Sequence, residues 1–146
     1  MLMAVRTTSK SSLFLIELII VILFFSIAAA ICVLLFAHAR VTSIESGRLT
    51  MSVTYSQNAV EALRATGGND QGLEQLLGVK KKTDGSFVAE YDKDWNLVES
   101  NGEYRLTMVV SSDDARKLLR GEVSIAEFDN GEYKEIYSVN TSQYRP

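Results

Sequence analysis

Hydrophobic and polar positions divide the chain into two unlike stretches. Residues 13–37 are apolar except at Glu17 and Ser26, and from His38 onward apolar, polar and charged positions interleave. An all-round apolar helix suits lipid or the centre of a large protein, and 146 residues are too few to surround it. The run exceeds the roughly 20 residues that a bilayer core requires, so it predicts a membrane-spanning helix. The helical pattern continues past it. Val41, Ile44, Met51, Tyr55, Asn58 and Ala62 recur at three- and four-residue spacing. No proline interrupts them, and Gly67-Gly68 supplies a stop. One helix over residues 13–66 is predicted, with its second half laying a face on a small domain.

Beyond the stop, Leu73, Leu76, Leu77 and Val79 suggest a short helix or turn. Phe87, Ala89 and Tyr91 alternate, as do Tyr104, Leu106, Met108 and Val110, which predicts strands. Asp92-Lys93-Asp94 reads as a turn before a strand at 95–99. Asn101-Gly102 and Asn130-Gly131 are hairpin signals. The second joins strands expected at 123–128 and 133–141, and residues 113–119 read as a short helical connection. The whole is an α+β class: one long N-terminal helix on a small antiparallel sheet of about four strands. The divisions are a basic leader (1–12), a membrane helix (13–37), its amphipathic continuation (38–66) and a β-rich domain (67–146).

Charge orients the anchor. Arg6 and Lys10 precede the run with no acidic residue before it, placing the N-terminus in the cytoplasm and the C-terminal domain outside; Arg40 weakens the contrast. The net charge of −3 gives no global field favouring nucleic acid. A secretory signal peptide competes with the anchor, since Ala28-Ala29-Ala30 and Ala37-His38-Ala39 mimic cleavage sites, but its apolar centre is normally shorter.

Glu17 is the informative exception in the run. A carboxylate near the end of a membrane helix costs a few kcal/mol unless it reaches the interface or a positive partner. The segment Ser12-Leu13-Phe14-Leu15-Ile16-Glu17-Leu18-Ile19-Ile20-Val21-Ile22 resembles the prepilin signature of type IV pilins and of pseudopilins of type II secretion and DNA-uptake systems. The resemblance is specific over about residues 10–30. It implies a pilin-like fold, removal of the leader by prepilin peptidase between Ser12 and Leu13, N-methylation of Leu13, and a register role for Glu17. Partners would be other pilin or pseudopilin subunits and the assembly platform and ATPase. The cytoplasmic membrane would hold the chain before a surface or periplasmic filament does. Ser12 departs from the usual glycine, Leu13 from the usual phenylalanine or methionine, and Leu34 from the proline of many major pilins, which leans towards a minor subunit.

Catalytic and metal chemistry have little to stand on. Cys32 and His38 are the only residues of their types. They lack a third group, and neither a zinc set nor a nucleophile–base site follows from them. No catalytic residue, cofactor or metal site is read, and the chain is not expected to be an enzyme. Asp92-Lys93-Asp94-Trp95-Asn96 with Glu103 imitates calcium-loop spacing, but Leu97 stands where the central glycine belongs. Lys80-Lys81-Lys82 could meet DNA phosphates and reads more simply as a solvated loop. The alternative to a filament subunit is a single-pass anchored binding or sensory protein with a small extracellular domain.

Overall fold

The computed structural model describes residues 10–144. The leader residue Arg6 lies outside the described residues. Helix α1 runs Lys10–Thr66, α2 runs Asp70–Leu77, and the strands are β1 (Lys80–Lys81), β2 (Phe87–Tyr91), β3 (Leu97–Val98), β4 (Tyr104–Asp113), β5 (Leu118–Asp129) and β6 (Glu132–Tyr144). The chain forms two compact units that divide between Glu45 and Ser46, so α1 contributes to both.

In the first unit α1 is a single uninterrupted helix whose apolar side chains are almost all exposed; Leu13, Phe24 and Phe36 show 56%, 69% and 80% of their surface. The helix is long and apolar enough to cross a membrane.

The second unit is α+β. Its sheet is antiparallel in the order β1-β2-β4-β5-β6, with β3 also on β2, giving six strands where about four were expected. Strand β1, two residues long and too short to leave an alternating pattern, was not expected, and β3 is two residues of the strand expected at 95–99. The expected alternations do share a face: Phe87 pairs with Met108, Ala89 with Leu106, and Tyr91 with Tyr104. These residues, with Val123 and Ile125 of β5, form the core with Ala59, Val60, Ala62 and Leu63 of α1. A side chain buried as fully as Leu63 is worth about 1.5–3 kcal/mol.

The buried face of the helix matches the expected stripe in part. Ala62 is buried and Met51 and Tyr55 pack against the core, whereas Val41, Ile44 and Asn58 are exposed and Ser52, Ser56, Ala59 and Leu63 are buried in addition. Small side chains let the helix come close to the sheet, and β5 answers with Gly121, above which Leu63 lies. Gly67 and Gly68 end α1 with positive φ of 60° and 80°, and the Gly68 N–H donates to the Leu63 carbonyl at 3.3 Å.

The two hairpin signals diverge. Asn130 and Gly131, at φ 52° and 90°, make the two-residue β5–β6 turn as expected. Asn101-Gly102 does not make a hairpin. Strand β4 pairs with one edge of β2 along its length, and β1 and β3 share the other, so the chain after β3 must cross the end of β2. Gly102 is where it crosses: a Cβ there would lie 2.9 Å from the Tyr91 backbone N and O. The helical connection expected at 113–119 is a turn with Lys117 at φ 51°. Strands β4 and β5 simply extend towards each other, pairing out to Asp113 and Leu118.

Candidate assembly surface

The exposed helix of the first unit carries Ser12, Leu13 and Glu17, on which the resemblance to prepilins rests. At about 1.5 Å per residue, 13–37 measures about 37 Å, against a hydrocarbon core of about 30 Å. Leu13 and Glu17 are four residues apart on unbroken helix and therefore share one face, about 6 Å apart along the axis. The Ser12–Leu13 peptide bond is in the first described turn of α1. Ser26 donates to the Ile22 carbonyl at 2.8 Å, so its hydroxyl is satisfied within the helix and does not burden an apolar environment. Cys32 and His38 are exposed, six positions apart on the same helix. Glu17 thus stands as a carboxylate within a band of apolar side chains that the chain itself leaves uncovered.

In the second unit the calcium-like loop is closed upon itself. Asp92 Oδ1 accepts the backbone N–H groups of Asp94 and Asn96, both at 2.9 Å, and Asn96 Nδ2 donates to Oδ2 at 3.1 Å. The backbone N–H of Asn96, followed by its side-chain amide, holds the Asp92 carboxyl below the usual range. Among the described residues no three His, Cys, Asp or Glu side chains gather as a metal site. Of the lysine run, Lys81 pairs with Asp70 and Lys80 with Glu99 at 3.9 Å, which lowers the free positive charge there.

Two constellations were missed by sequence reasoning. Arg48 forms an ion pair with Glu127 of β5, fixing the helix along the sheet. The crossing loop is clamped by Glu90, which accepts from the Gly102 N–H at 3.0 Å and pairs with Arg105 at 2.8 Å. Arg105 also lies over the Tyr133 ring, 3.6 Å from its centroid, and the Tyr133 hydroxyl donates to the Gly102 carbonyl at 2.8 Å. Nothing local marks either set: Arg48 and Glu127 belong to different elements with no shared motif. An aromatic cluster fills the end of the core, with Trp95 stacked on Tyr104 at 4.3 Å and Tyr55 donating to the Trp95 carbonyl at 2.8 Å. Burial pushes the Tyr91 phenol up to about 12. Beside this cluster a groove of about 580 Å³ opens between α1, α2 and the β2–β3 loop, with Leu76 and Leu97 exposed on it.

Compared with known proteins, the chain matches no family model, no curated protein and no solved structure.

Proposed function

We propose that the chain is a structural, non-catalytic subunit of a type IV pilus or pseudopilus, of the minor kind. The observation that carries this reading is Glu17, a carboxylate one turn after Leu13 on a helix whose apolar faces are exposed all round. The subunit waits in the cytoplasmic membrane with its N-terminus inside and its globular unit outside. Prepilin peptidase removes the leader between Ser12 and Leu13, and the new terminus is methylated. The freed α-amino group is a cation at neutral pH. Buried among apolar helices it requires a counter-charge, and Glu17 of a neighbouring subunit supplies one and sets the axial register. The contact is heterologous and does not close, as a filament requires. The work of extension falls to the assembly ATPase and platform. The globular unit meets other subunits, and no role for nucleic acid is assigned to it.

The aromatic-sided groove of about 580 Å³ favours a second reading, an anchored binding or sensory protein. Intact-mass measurement on protein extracted from membranes separates the two. A methylated N-terminus at Leu13 is the expected result. Retention of Met1 supports the anchored protein instead, and a terminus near Ala30 or Ala39 means that the helix is removed as a signal peptide.

A further inference from the structure

The chain contains Asn-Gly at 101–102 and again at 130–131, and the fold gives the two dipeptides opposite surroundings. Both asparagines hold positive φ, 57° and 52°, and both are exposed. The glycines differ. Gly131 is exposed, nothing lies within 4 Å of where its Cβ would be, and its N–H has no hydrogen-bond partner among the described residues. Gly102 is buried. Its N–H donates to Glu90 Oε2 at 3.0 Å, and its carbonyl accepts from the Tyr133 hydroxyl at 2.8 Å. A Cβ on it would lie 2.9 Å from the Tyr91 backbone.

We infer that Asn130 is a site of spontaneous covalent modification, deamidation through a cyclic imide with water as co-reactant, and that the clamp on Gly102 keeps Asn101 from the same reaction. In Asn-Gly the side-chain amide carbon lies within reach of the next backbone nitrogen, and glycine has no side chain to shield that nitrogen. The Gly131 nitrogen gives its proton to solvent base and bonds to Asn130 Cγ. The bond from Cγ to the side-chain nitrogen breaks, and ammonia leaves. Water then opens the imide at either carbonyl: attack at Cγ yields aspartate, and attack at the main-chain carbonyl yields isoaspartate. Water enters, ammonia leaves, and nothing is oxidised or reduced. At Asn101 the same attack requires the peptide plane before Gly102 to turn. Turning it breaks the bonds to Glu90 and Tyr133 and drives the glycine against Tyr91. The Glu90 carboxylate also opposes loss of the Gly102 proton, because one negative charge disfavours another beside it. At the exposed turn the product adds a carboxylate between Asp129 and Glu132, and isoaspartate lengthens the turn by a methylene, so the end of the hairpin loosens where Phe128 pairs with Tyr133. The reaction belongs to the second unit and does not depend on the fate of the apolar helix.

Peptide mapping by mass spectrometry tests this on the whole chain, purified in detergent and held at mildly alkaline pH. The peptide containing Asn130 should convert to aspartate and isoaspartate forms roughly tenfold or more faster than the peptide containing Asn101, the factor that a charge-assisted hydrogen bond on the reacting nitrogen supplies. In concentrated urea the two peptides should convert at like rates, because only the local sequence then acts. Glu90→Ala, and the milder Tyr133→Phe, should each speed conversion at Asn101 in the folded chain and leave Asn130 as it was. Equal rates in the folded chain, a faster Asn101, an Asn130 that stays intact while the unfolded chain converts, or an Asn101 rate that neither variant moves overturns the proposal.

Discussion

Leu63 occupies the space that a side chain at position 121 would need: a Cβ on Gly121 would fall 2.3 Å from Leu63 Cδ2. Leu63 is 1% exposed and cannot swing away into solvent. Gly121→Ala should therefore force the helix off β5 and cost about 1–3 kcal/mol, as overpacking of a filled core does. Urea denaturation of the variant measures the loss. Combining it with Leu63→Ala should cost less than the sum of the two single changes, because each vacates what the other overfills.

Ser56 invites the opposite change. Its hydroxyl is buried against the sheet without a hydrogen-bond partner, unlike that of Ser52, which donates to the Arg48 carbonyl at 2.8 Å. Ser56→Ala removes an unsatisfied polar group and installs a better helix former, so it should stabilise the second unit by about 1 kcal/mol. The thermal midpoint should rise by about 4–8 °C, and a fall would show that the hydroxyl has a role.

Acid should loosen the crossing loop. The Gly102 N–H, and after it the Arg105 guanidinium, hold the Glu90 carboxyl below its ordinary 4.5 against the opposing effect of burial. A lowered folded value contributes stability that is complete above about 4.5 and disappears as pH falls through the folded value. Denaturant midpoints should fall as pH drops below about 4.5, and Glu90→Gln should make that fall shallower. It should not remove it, since Ser86 and Asn96 lower Asp84 and Asp92 as well.

Glu17→Ala tests the proposed assembly contact. Membrane insertion should persist, because the helix becomes more apolar. Incorporation into sheared filaments should drop on the order of a hundredfold, the effect of leaving one charge of a buried pair uncompensated. Comparing filament and membrane fractions by immunoblot gives the ratio, and unchanged incorporation removes the pairing.

The sequence by itself determined the elements whose cause is local. The apolar run, the absence of proline before residue 146 and Gly67-Gly68 specify a helix and its end within the chain's own neighbouring residues. Alternation at 87–91 and 104–110 specifies which side chains share a face, because a strand repeats every two residues. Glu17 was legible because a carboxylate contrasts with everything around it. The tertiary structure decided what depends on proximity between distant segments. Asn101-Gly102 has the composition of a hairpin, yet it crosses β2, because β4 takes an edge that β3 does not share. The helix buries Ser52 and Ser56 and leaves Asn58 exposed, because the face that meets the sheet is set by the fit of Leu63 over Gly121 of a distant strand. The exposed edge of β6 is likewise a property of strand order: its residues read as an ordinary strand, and only their place at the end of the sheet leaves them, among the described residues, without a second strand neighbour.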